Sequence, residues 1–282
     1  MTYGQIKFQM KKMFPGVDLD LIELWINQRY DEILGELPWT RLNVESVLVT
    51  AAPFSDGTVA VAQGSNSLTL TGSAWSSRMS GRAFRIAGQS EYYQFTYADD
   101  TTATLDRPYE GPNSAAAGYS IFQAVYVLPA DCRMLDDNAF SPLKRMDRSQ
   151  LNQSDPWRVQ SGKPGIFCSY MDDASTPPRL QVELYPVPDS AVGLPFTYQS
   201  DGGDLSAAAT ILQVWIQSTA LVSGVEAKIR RHLKDLAGSQ LAAAEAKAAL
   251  ANMRTSNAQG MAPAQMKMDG YLTSHRRGRW TR

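Results

Sequence analysis

The sequence predicts an α+β fold: an α-helical bundle with a small β-barrel or sandwich inserted into it. An N-terminal αα-hairpin and a long C-terminal helix make the bundle. An extra β-hairpin and an extended C-terminal tail complete the chain. Three observations carry this expectation. Apolar residues recur at helical spacing up to Leu37 and again over 205–254, a stretch with no proline. From about Asn43 the period changes to two. After Arg254 periodicity is lost. These changes divide the chain into 1–42 (helical hairpin), 43–127 (inserted barrel), 128–204 (loop and hairpin), 205–254 (long helix) and 255–282 (tail).

Thr2–Phe14 reads as a short amphipathic helix with Ile6, Met10 and Met13 on one face and Thr2 as its cap. Pro15-Gly16 ends it, and Asp18 caps a second helix along Ile22, Ile26, Tyr30, Ile33 and Leu37, stopped by Pro38. A two-helix hairpin cannot bury its stripe alone. The C-terminal helix is the expected partner.

The inserted domain is expected from short alternating segments at Ser46–Thr50, Thr58–Ala62, Ser67–Thr71, Ala83–Ala87, Tyr92–Tyr97, Thr102–Leu105 and Tyr119–Val127. Alternation places Tyr93, Phe95 and Tyr97 on the buried side, opposite Tyr92 and Gln94. Leu128-Pro129-Ala130-Asp131 leaves the barrel, and Asp131 is placed to cap a helical segment over Cys132–Asn138. Residues 147–159 read as a polar ordered loop with a helical turn. Gly165–Met171 and Arg179–Tyr185 form a β-hairpin, and Leu194–Tyr198 is a further strand.

Within 205–254, Val225, Ile229, Leu233 and Leu236 follow one helical face, and Glu226 precedes Arg230 by four residues, the favourable order for an ion pair. Gly224 and Gly238 are the expected bends. The alanine-rich end leaves little bulk on its surface, so Ala242, Ala246 and Ala249 are expected to pack against a neighbouring helix, in a second subunit.

The net charge of −1 favours no class of partner. The tail departs from that balance: Tyr271–Arg282 carries four arginines and no acidic residue. Its aperiodic apolar residues suit a segment that orders on binding. Arg and Trp are the side chains that dominate small contact sets. Two distant cysteines, Cys132 and Cys168, make no disulfide framework. The N-terminus lacks the apolar region of a signal peptide, and no apolar run is long enough to span a membrane. His232 and His275 have no metal-ligand spacing to another ligand. No phosphate-binding glycine loop and no nucleophile elbow occurs. No catalytic residue, cofactor or metal is expected, and the protein is expected not to be an enzyme.

The order of elements resembles the head-to-tail adaptor proteins of tailed bacteriophages, the neck or tail accessory proteins beneath the portal. The resemblance rests on the hairpin ending Leu37-Pro38-Trp39, on Gly57-Thr58-Val59-Ala60-Val61 and on Gly64–Gly72 of the insert. It continues through Leu128–Asp131, Gly162-Lys163-Pro164-Gly165, Leu184–Asp189, Tyr198 and the alanine-rich helix. It implies a virion structural protein made in the bacterial host cytoplasm. Such a protein forms a homo-oligomeric ring, usually a dodecamer, around the channel for double-stranded DNA, which it does not read by sequence. The implied partners are the portal protein and tail-tube, nozzle or other neck proteins. The tail residues Met266, Met268, Tyr271, Leu272, Arg276, Arg277, Arg279 and Trp280 would dock on the portal. A tail-tube or nozzle subunit is the alternative within this class. Outside it stand a carbohydrate- or receptor-binding module using Trp75 and Tyr92, and a cell-wall hydrolase using Glu91 or Glu110.

Overall fold

A computed structural model describes residues 1–173, 176–203, 205 and 216–261; of residues 259–261 only the backbone is described. It shows a mixed α+β protein of two compact units. One unit joins residues 1–42 to the described residues from Gly202 onward, and the other is 43–201.

Among the described residues there are five α-helices: α1 (Tyr3–Met13), α2 (Leu19–Gly35), α3 (Arg148–Ser154), α4 (Ser218–His232) and α5 (Leu236–Met261). In the first unit, α1 opens with a reciprocal cap: Gln5 N–H donates to Thr2 Oγ1 and Thr2 N–H donates to Gln5 Oε1. Asp18 caps α2. Ile6, Met10, Ile22, Ile26 and Ile33 share one core with Ala220, Leu221, Val225 and Ile229 of α4 and Ala249, Leu250 and Met253 of α5. Trp39 closes the α2 end, its indole N–H donating to the Ile33 carbonyl at 2.8 Å.

The expected single long helix is instead two. The bend falls at neither glycine but at Lys234, whose φ of 63° is left-handed. Asp235 accepts from the Gly238 N–H at 2.9 Å and so caps α5. Arg230 bridges Glu226 and Asp235, each at 2.7 Å, and staples the turn. The chain doubles back: Ser239 Oγ donates to the Ala227 carbonyl, and Ser223 Oγ donates to Glu245. Leu233 and Leu236 therefore leave the face begun by Val225 and Ile229 and stand exposed. At its far end α5 runs to Met261, past the expected start of the tail at Thr255. Buried Asn257 holds that extension, accepting from Thr40 N–H and Oγ1 at 2.9 Å each and donating to the Pro38 carbonyl.

The second unit contains β1 (Asn43–Val49), β2 (Thr58–Val61), β3 (Ser67–Thr71), β4 (Ala83–Ile86), β5 (Tyr93–Tyr97), β6 (Thr102–Leu105), β7 (Ser114–Ala117) and β8 (Tyr119–Phe122). It continues with β9 (Val125–Val127), β10 (Cys132–Met134), β11 (Lys144–Arg145), β12 (Ser161–Gly162), β13 (Ile166–Asp172), β14 (Arg179–Tyr185), β15 (Val187–Pro188) and β16 (Gly193–Ser200). Seven of these form an antiparallel sheet in the order β7-β2-β3-β6-β5-β4-β8. Its two edge strands are consecutive in sequence, separated by Gly118 alone, so the sheet is nearly closed. Tyr93 and Phe95 point inward with Trp75, Phe84 and Tyr119. Gly57 holds the turn before β2 at a φ of 81°, with no room for a Cβ against the Thr71 carbonyl.

The expected first barrel strand belongs elsewhere. β1 pairs along its whole length with β16, and β10 flanks β16 on the other side. Cys132–Met134 is thus a strand, not the start of a helix. Asp131 does not cap; it accepts the Tyr198 hydroxyl at 3.0 and 3.1 Å. Burial, reinforced by that carboxylate, pushes the Tyr198 phenol up to about 12. β13 and β14 form the expected hairpin and extend with β9 and β11 into a four-stranded sheet.

Candidate interaction surfaces

The tail residues expected to dock on a portal, Met266, Met268, Tyr271, Leu272, Arg276, Arg277, Arg279 and Trp280, lie outside the described residues. Ala242, Ala246 and Ala249 are buried within this chain, with Ser239, Met253 and Asn257 on the same seam of α5. The helix lying close to this seam is α4 of the same chain, where Ser223 meets Glu245 and Ala227 meets Ser239. This corrects the expectation of a second subunit at these positions. Small side chains let two antiparallel helices of one chain approach.

The aromatic residues weighed for a carbohydrate site do not form one. Trp75 is buried and donates its indole N–H to the Tyr119 hydroxyl at 3.0 Å. Tyr92 packs edge-on against Phe122. Of the acids weighed for hydrolysis, Glu91 pairs with Arg107 at 2.9 Å, and the Glu110 side chain is solvent-exposed. Both cysteines are buried; burial pushes the Cys132 thiol up to about 12 and the Cys168 thiol up to about 11. His232 packs its ring on Trp25. Among the described residues no group of three or more His, Cys, Asp or Glu side chains is placed to hold a metal ion, and no helix is long and apolar enough to cross a membrane.

The most constrained surface feature is the turn after α3. Asp155 accepts from the Val159 and Gln160 N–H groups at 3.0 Å each and folds the chain back. Arg158, at a φ of 52°, points inward and is 4% exposed. Its guanidinium meets Glu183 at 2.6 Å and Asn152 at 2.5 Å, and also donates to the Asp155 carbonyl. Glu183 is 3% exposed and receives a second cation, Arg148, which stacks over Tyr170. From the barrel, Arg85 donates to the carbonyls of Trp157 and Arg158. With Arg158 held inside, its neighbours are forced out: Trp157 is 43% exposed and Val159 is 54% exposed. Left-handed backbone at a non-glycine residue costs energy and persists where its surroundings over-determine it.

The sequence reads 147–159 as a polar ordered loop with a helical turn; α3 is that helical part, and the buried arginine beyond it has no counterpart in that reading. Alternation in β14 puts Glu183 on the side opposite Val182 and Leu184. The signal that was open to reading is a charge at an alternating position beside an arginine-bearing loop. Only the fold shows that α3 and the turn cover that side of the sheet.

Two features of the helical unit complete the surface. Large apolar side chains stand in solvent on it: Phe8 (72% exposed), Leu236 (66%) and Leu241 (67%), with Leu233 and Met13 also exposed. Between α2 and α5 runs a groove of about 410 Å³ floored by α4. No family model matches the chain, and no curated protein matches it.

Proposed function

We propose that the chain is a bacteriophage virion structural protein, a head-to-tail adaptor that forms a ring below the portal and joins capsid to tail. Its action is mechanical. Four helices of the first unit form the bundle of the ring wall, and the DNA passes through the lumen without sequence-specific contact. The segment from Met266 to Trp280 docks on the portal, its arginines pairing with carboxylates there. Repetition around the ring raises the effective concentration of each weak contact.

The observation that carries the reading, beside the resemblance in element order, is the exposed apolar set Phe8, Leu233, Leu236 and Leu241. Large apolar side chains grouped on a surface mark sites of association. A ring requires heterologous contacts between unlike faces of one chain. The buried alanines supply neither face; the reading assigns one face to Leu233, Leu236 and Leu241 around the α4–α5 turn and the other to Phe8 on α1. Electron microscopy of the purified protein, alone and with portal protein, tests the proposal. Closed rings that cap the portal are expected. Rings that stack into tubes or bind only tail components instead indicate a tail-tube or nozzle subunit. A protein that stays monomeric with and without portal refutes the adaptor reading.

A further inference from the structure

The groove of the helical unit carries more positive charge than its own acids neutralise. Five cations line it, Arg29, Lys228, Arg231, Lys247 and Arg254, against two carboxylates, Glu32 and Glu36. Glu32 is shared by Arg29 at 2.9 Å and Lys228 at 2.7 Å. Glu36 is taken by Arg254. Arg231 and Lys247 are exposed and have no carboxylate partner among the described residues. Between these charges the lining is neutral: Gly224 and Ala227 of α4, and Ala243, Ala246 and Leu250 of α5. Gly224 leaves room for the Arg29 side chain that crosses the helix, which would have to shift to admit a Cβ. Arg29 in turn reaches the Ala220 carbonyl, so the cationic wall is fixed in place.

We infer that this groove receives an acidic segment of a protein partner, whose Asp or Glu carboxylates pair with Arg231 and Lys247 over the neutral lining. Charge complementarity selects the ligand class. The lining selects protein over nucleic acid: it holds no aromatic ring on which a base stacks. This site lies in the helical unit and does not depend on the adaptor reading.

The test uses the full chain and fluorescein-labelled hexaglutamate, with binding read by anisotropy at low ionic strength. An oligothymidylate of equal charge serves as the nucleic-acid comparison. Hexaglutamate is expected to bind saturably, and Arg231→Glu with Lys247→Glu is expected to weaken it about tenfold or more. Both side chains are exposed, so the melting temperature of the double variant should match that of the parent. Arg145→Glu, a surface change in the other unit, should leave binding intact. Absent binding, or equal binding by the double variant, overturns the inference. Oligothymidylate that binds as tightly and loses as much in the double variant overturns the choice of a protein partner.

Discussion

Replacing Glu183 with glutamine is expected to destabilise the 43–201 unit severely. The carboxylate is 3% exposed and sits 2.6 Å from Arg158, itself 4% exposed. Each ion has been taken out of water, and their attraction offsets that desolvation only while both remain. Glutamine keeps the shape of the site and removes the charge. Arg158 is then buried without a counter-charge, with neutral acceptors alone: the amide oxygen of the substituted side chain, the Asn152 oxygen and the Asp155 carbonyl. Breaking a buried pair costs about 3–5 kcal/mol. The retained acceptors and the half-exposed Arg148, which rehydrates freely, place the expected loss near the lower bound, about 3 kcal/mol. For a unit of this size that lowers the melting temperature by roughly 6–12 °C. Scanning calorimetry of parent and variant reads it directly. The double variant Arg158→Met with Glu183→Leu removes both charges and should recover more than half of the loss. A Glu183→Gln variant that loses less than about 1 kcal/mol shows that the pair behaves as a surface ion pair, and the locked-turn account is then wrong.

Four further outcomes are expected. Ala246→Leu over-packs the seam between α4 and α5 and should cost about 1–3 kcal/mol in the isolated protomer, seen as a lower melting temperature at every protein concentration; a loss confined to the assembled state would return this alanine to a subunit contact. Cys132 and Cys168, with thiols raised to about 12 and about 11, should resist iodoacetamide in the native protein at mildly alkaline pH and react once denatured. Because folding raises both above the ordinary thiol value of 9.0, the stability they contribute is complete below that pH and is lost as pH climbs toward the folded values, which a pH series of urea melts checks. Excising 53–123 with a short Gly/Ser bridge should leave β1 paired with β16 and a folded remainder by circular dichroism. That remainder should be less stable, because Arg85 no longer holds the Trp157 turn.

Local chemistry was sufficient for much of this protein. The Thr2 and Asp18 caps, the stripe Ile22, Ile26, Tyr30 and Ile33, the β13–β14 hairpin and the inward side of Tyr93 and Phe95 all follow from spacing. The reason is that the residues which decide them lie within a few positions of one another. The division into helical and β parts was legible in the same way. Tertiary structure decided what depends on partners far along the chain. β1 alternates as a barrel strand would, and only its pairing with β16 assigns it to another sheet, because alternation does not name a neighbour. The long helix folds back at Lys234 because Asp235 and Arg230 close a turn whose two arms then bury small residues against each other. The same alanines that suit a second subunit suit an antiparallel arm of the same chain, and spacing cannot tell them apart. Glu183 and Arg158, set in unremarkable polar surroundings in sequence, became a buried pair because α3 and its turn cover one side of the β14 sheet.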